Sequence, residues 1–185
     1  MATGTMTSDS GMAGVEAGEC CDYAASRDSE ASMIDPSTLS ASVRLALSAA
    51  GALLMVGMLT GVWKYAQIAR SSNAQAHPYV DIAHRASLLY SFAALVLAAL
   101  AAVSVWPGWV NLQAVLWPLI FFTLAIASYV LHGALGDTDN QLRSPHVLGA
   151  RRLPAWPLHA FMGALIVAEI GGVAVLLAGA LVALW

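Results

Sequence analysis

The chain has 185 residues, of which 59% are hydrophobic and only 10% charged, with a formal net charge of −3. A soluble domain carries about 25% charged residues, so this composition excludes a globular surface covered by water and leaves lipid as the main surroundings. Seven of the eleven acidic residues fall between Asp9 and Asp35, and there is no basic patch to suit nucleic acid.

Residues 1–40 are rich in Ala, Ser, Gly, Thr and acids, without helical or strand period, and read as a disordered acidic tail. Cys20 and Cys21 are adjacent in it, a spacing that does not suit a mutual disulfide. The first apolar run starts near Val43, too far in and too long for a secretory leader. From there to Trp185 the expectation is an all-α, polytopic membrane domain of four antiparallel helices, because each apolar block approaches the roughly 20 residues that a spanning helix needs. The first span is expected from Val43 to Tyr65, with Ser40 or Ser42 as cap and a GxxxG pair, Gly57 and Gly61, that lets a neighbouring helix come close. The second is expected from Ala83 to Val105, followed by a turn at Trp106–Trp109. The third covers Val110 to His132, and the fourth Leu158 to Trp185. The blocks are continuous instead of alternating, which excludes a β-barrel.

Aromatic residues mark the two interfaces: Trp63, Tyr65 and Trp156 at one, Trp106, Trp109 and Trp185 at the other. Lys64, Arg70, Arg85, Arg143, Arg151 and Arg152 gather around the connections between spans one and two and between spans three and four. The positive-inside rule then puts both connections in the cytoplasm of a multi-pass cell-membrane protein.

The same end holds all five histidines, His77, His84, His132, His146 and His159, together with Asp81, Asp137, Asp139 and Asn140. Longer loops alone account for several of these. His84, His132 and His159 lie at the margins of apolar spans, where ionisable groups usually face a bundle interior or a cavity. If Pro78 opens the second helix, His77, Asp81 and His84 stand at positions that one metal ion can share, with His132 or His159 as a further ligand. His84 also begins a ridge of small residues, Ser87, Ser91, Ala94, Ala98 and Ala101. The ridge reads either as a close helix seam or as a bare surface for a flat cofactor with His84 at its iron, since one axial histidine suffices for haem. Glu169, near the middle of span four, is expected to be protonated or paired, and a hydrogen bond across a helix interface is its simplest role.

Read together, these residues resemble the small membrane-bound styrene oxide isomerases over the stretch from Ala50 to the end. GALLMVGMLTGVWKYA looks like that family's opening helix, Ala83-His84 resembles the start of its haem-bearing helix, ASYVLHG is similar to its segment with a catalytic tyrosine, and Asn140-Gln141 resembles an Asn-Gln pair in its third connection. The resemblance implies ferric haem b held by His84 between the subunits of a homo-oligomer, a trimer in that family, with Ser87 and Ser91 against the cofactor. It implies Tyr129 orienting a small hydrophobic epoxide, with Asn140 nearby. The iron acts as a Lewis acid on the epoxide oxygen, and a hydride shift gives an aldehyde without net electron exchange. This chain departs from the family at Tyr90, where the family has an asparagine; Tyr90 adds a second hydroxyl or narrows the pocket. Two alternatives stand beside this expectation: a non-catalytic haem- or metal-binding subunit for electron transfer or sensing, and a four-helix partner protein without a cofactor.

Overall fold

The computed structural model describes residues 38–185, apart from Pro145, Leu153 and the side chain of Val147. The tail reading, with Cys20 and Cys21, lies outside the described residues. Four long helices follow one another: α1 (Ala41–Arg70), α2 (Pro78–Val103), α3 (Gly108–Leu135) and α4 (Ala155–Leu184). All four are long and apolar enough to cross a membrane. A spanning segment must satisfy its own backbone, and a helix does so within one segment. The chain is a four-span, all-α membrane protein, in agreement with the composition.

Each helix starts and stops for a local reason. At α1, the Ser40 hydroxyl accepts a hydrogen bond from the Val43 amide at 3.4 Å. At α2, His77 is the N-cap and Pro78 the first helical residue, where a missing N–H costs nothing. Gly136 closes α3 with φ +58°, the left-handed conformation that glycine adopts freely. The helices extend a few residues beyond the apolar blocks, into polar ends such as Gln67 and Arg70. Between α3 and α4 the structure adds a small feature not expected from the sequence, an antiparallel ribbon in which Val147–Leu148 (β1) pairs with Arg151–Arg152 (β2).

Small residues set the packing. The buried positions of α1 are Ser42, Val43, Ala46, Ala50, Leu53, Gly57 and Thr60, a single helical stripe. On α2 the stripe is Val80, Ala83, Ser87, Ser91, Ala94, Ala98 and Ala101. The ridge that begins at His84 is therefore a packed helix seam within this chain and not a bare surface: Ser87 and Ala94 have no exposure at all. A Cβ at Gly57 would come within 2.7 Å of the Leu88 side chain, so the α1–α2 approach depends on that glycine. Leu97, Val115, Leu119, Phe122 and Leu176 fill the centre.

α4 meets the bundle at two glycines. A Cβ at Gly172 would lie 2.5 Å from the Ala114 carbonyl oxygen and from Pro118. At Gly179 it would strike Ser104 and Trp106. The Trp106 indole N–H donates to the Val175 carbonyl at 2.8 Å, which ties the α2–α3 turn to α4. Elsewhere α4 is open: only Leu176, Gly179 and Ala180 are buried, while Ile166, Val167 and Ile170 face outward as a lipid-facing surface would.

Candidate functional site

His84 sits in a seat made by α1. Its Nδ1 is 2.8 Å from the Gly57 carbonyl oxygen, so with the proton on Nδ1 the ring donates there. A Cβ at Gly61 would lie 2.9 Å from Cε1 of the same ring. The GxxxG pair thus does two jobs. Gly57 lets Leu88 pass and offers its carbonyl, and Gly61 leaves room for the imidazole. Among the described residues His84 makes no other hydrogen bond, which leaves Nε2 as a lone-pair donor. Metal-bound histidines characteristically donate their second ring N–H to a backbone carbonyl or carboxylate, which fixes the tautomer and raises ligand basicity. The donor set of His84 therefore fits a residue that would hold a metal, a haem iron included, through Nε2.

The other expected residues lie elsewhere. Tyr90, Ser128, Tyr129 and Gln141 line a cavity of about 160 Å³, closed by Ala125, Leu158, Phe161, Met162 and Leu165. Tyr90 stacks on Phe122 with centroids 4.2 Å apart, and Tyr129 stacks on Tyr79 at 6.1 Å. Both rings are held by neighbours, and neither hydroxyl has a hydrogen-bond partner among the described residues. Six residues along a helix turn the side-chain direction by roughly 120° net. His84 and Tyr90 accordingly leave α2 on different flanks, one toward α1 and the other toward α3. Within one chain the structure brings Tyr90 and Tyr129 together but does not join them to His84. The expected cofactor contacts Ser87 and Ser91 are buried in the seam, where their hydroxyls return to the carbonyls of Ala83 and Leu88, both at 2.7 Å.

Asn140 does not line the cavity. It is exposed, and its side-chain oxygen accepts from the Leu142 amide at 2.9 Å, an Asx-type turn. Its neighbour Gln141 is the residue that reaches inward. The Ser128 hydroxyl donates to the Gln141 side-chain oxygen at 3.0 Å, and the Gln141 amide donates to the Tyr79 hydroxyl at 2.5 Å. Ser128 and Gln141 were not singled out from sequence; the Asn-Gln pair was the available signal, and the turn selects its second member.

The α3–α4 connection is clasped beside the cavity. His132 and Asp137 are buried together, with Nδ1 2.8 Å from a carboxylate oxygen. The other Asp137 oxygen accepts from the Gly149 amide at 2.6 Å, at the ribbon turn. Burial alone would push the Asp137 carboxyl up, but the hydrogen bonds from His132 and Gly149 and the nearby imidazole outweigh it and hold the carboxyl below its usual range.

The expected His77, Asp81 and His84 metal trio does not form. His77 caps α2, its Nδ1 accepting from the Tyr79 amide at 3.3 Å. Asp81 pairs with Lys64 at 2.5 Å and with Arg85 at 2.8 Å. His132 is taken by Asp137. Among the described residues no three His, Cys, Asp or Glu side chains converge on one point. No family model, curated protein or solved structure matches the chain.

Proposed function

We propose that the protein is a membrane isomerase that binds haem b through His84 and rearranges a small hydrophobic epoxide, of aryl type, to an aldehyde. The observation that carries this reading is the hydrogen bond of His84 Nδ1 to the Gly57 carbonyl, which leaves Nε2 in the tautomer that a metal-holding histidine would need. When bound, the haem would supply a Lewis-acidic iron for an epoxide oxygen, without proton bookkeeping. The chain's own residues account for the rest. Gly57 and Gly61 hold the imidazole. Tyr90 and Tyr129 offer phenol hydroxyls that orient an epoxide oxygen by hydrogen bonding, and Leu158, Phe161, Met162 and Leu165 keep the pocket apolar. A dry pocket of this kind protects a cationic centre from capture by water as a diol.

His84 and Tyr90 leave α2 on different flanks, and Tyr129 lies beside Tyr90 from α3, so this reading places the complete site between copies of the chain, as a homo-oligomer and a trimer by the resemblance. The basic residues at the α1–α2 and α3–α4 connections support a cytoplasmic side for that end of the bundle. The purified protein is then expected to show a Soret band, and His84→Ala to lose it while still inserting into membranes. A colourless wild-type protein, or a His84→Ala protein with unchanged haem content, would overturn the assignment. Conversion of an aryl epoxide to its aldehyde by the haem-loaded protein tests the activity itself.

A further inference from the structure

A polar cavity of about 470 Å³ lies where α1 ends and α2 begins, and it shares no lining residue with the tyrosine cavity. Trp63, Gln67 and Arg70 line it from one face of α1, at i, i+4 and i+7, and Gln75 and His77 close it from the connection. The side-chain groups left over there are donors. Gln67 uses its side-chain oxygen to accept from the His77 amide at 2.9 Å, which leaves its NH₂ group unused. His77 accepts at Nδ1 from the Tyr79 amide, so the neutral ring carries its proton on Nε2. The Asp139 carboxylate stands 3.7 Å from that nitrogen, beyond hydrogen-bond distance. Lys64 and Arg85, at the same end of the bundle, both pair with Asp81. Arg70 has no ion pair among the described residues, and no Asp or Glu lines the cavity. A concave site with one free guanidinium and unused N–H groups, and without a carboxylate in its walls, is complementary to an anion.

We propose that this cavity holds the headgroup of an anionic phospholipid, with Arg70 pairing the phosphodiester and the Gln67 and His77 N–H groups completing its hydrogen bonds. Three features select a lipid of that kind. Toward the membrane middle α1 continues through Val62, Leu59 and Met55, all exposed and apolar, so acyl chains have a surface to lie on below the headgroup. Trp63 stands between the two zones, where belt tryptophans sit. The last turn of α1 brings the partial negative end of the helix dipole to the cavity, so the single charge of a phosphodiester suits it better than the nearly double charge of a free phosphate. A zwitterionic headgroup is less suited, because no carboxylate in the walls receives its ammonium. The site stands apart from the isomerase chemistry and holds with or without it.

Native mass spectrometry of the delipidated full-length protein tests the site with phosphatidylglycerol and phosphatidylcholine of identical acyl chains. Phosphatidylglycerol is expected to give the more abundant one-lipid adduct. Arg70→Gln should weaken that adduct about tenfold, the worth of one charge-assisted hydrogen bond. Arg70 is exposed and holds no partner among the described residues, so the variant should fold as wild type does. Arg143→Gln removes an equal charge from the exposed surface of the α3–α4 connection and should leave the adduct within about twofold of wild type. Phosphatidylcholine binding should change little in either variant. Equal loss in Arg70→Gln and Arg143→Gln would mean a diffuse attraction between a basic surface and anionic lipid, and would overturn the site. So would equal binding of the two lipids by the wild-type protein, or an Arg70→Gln adduct as abundant as in wild type. Excess inorganic phosphate should not displace the phosphatidylglycerol; displacement would identify a free-phosphate site and remove the lipid.

Discussion

At the residue scale, the structure converts a glycine motif into a seat for a histidine. Gly61 touches the His84 ring, and the contact is with a ring that has nowhere to go, because Nδ1 is tied to Gly57. Gly61→Ala should push the imidazole off its carbonyl partner. On the proposed function, it should lower haem retention severalfold while leaving insertion intact, read as the ratio of Soret to protein absorbance. Tyr129→Phe is the complementary change. It removes a hydroxyl that nothing among the described residues uses, so stability should hardly change and the haem spectrum should stay as in wild type. Aldehyde formation should slow by very roughly ten- to a thousandfold if the hydroxyl acts in the transition state. Asp137 gives a pH prediction. Its carboxyl is held below the usual value in the folded protein, so its contribution to stability is complete above the unfolded value of about 3.9 and is lost as pH falls through the lower folded value. Thermal unfolding of the detergent-solubilised protein should therefore show an acid-sensitive component below about pH 4 that Asp137→Asn lacks. At neutral pH that variant should already be weaker by about 1–3 kcal/mol, from the hydrogen bonds to His132 and Gly149 that it loses or weakens.

At the scale of elements, the four spans were legible because a membrane leaves so few options: a continuous apolar block of this length must be a helix. The caps at Ser40 and Pro78 were legible too, since serine at an N-cap and proline at the first turn each have a local cause. The ridge on α2 was legible only as two alternatives, because small residues suit a neighbouring helix and a flat cofactor equally, and the partner is chosen by tertiary packing. Gln141 was illegible for a different reason. Its approach to Ser128 is made by a loop folding back over thirteen residues, and no periodicity carries that information. The α3–α4 crossing makes its own prediction. Gly172 faces backbone, the Ala114 carbonyl, at a distance no Cβ can share, and backbone cannot step aside as a flexible side chain does. Gly172→Ala should force the helices apart and cost about 1–3 kcal/mol, seen as a lower thermal midpoint. Gly163→Ala, at a glycine with open space around it, should leave the midpoint near wild type.

At the scale of the whole molecule, charge is segregated along the bundle axis. Lys64, Arg70, Arg85, Arg143, Arg151 and Arg152 lie at or beside the end formed by the α1–α2 and α3–α4 connections, while Arg44 is the basic residue near a span at the other end. The connection end also carries the Asp81 ion pairs and the His132–Asp137 clasp, so its polar groups are organised and not simply exposed. The positive-inside rule counts lysine and arginine close to the spans, and the orientation proposed on that count, with the basic end cytoplasmic and the segment before α1 on the opposite side, makes a prediction. The two native cysteines, Cys20 and Cys21, precede α1 in the sequence and would report that side. A membrane-impermeant maleimide should therefore label the wild-type protein in right-side-out vesicles. In a Cys20→Ser, Cys21→Ser background, a single cysteine placed at the exposed Ser144 should label only after the vesicles are permeabilised. The reverse pattern would invert the topology, and with it the side from which the polar edge of the cavity, at Ser128 and Gln141, faces the cell.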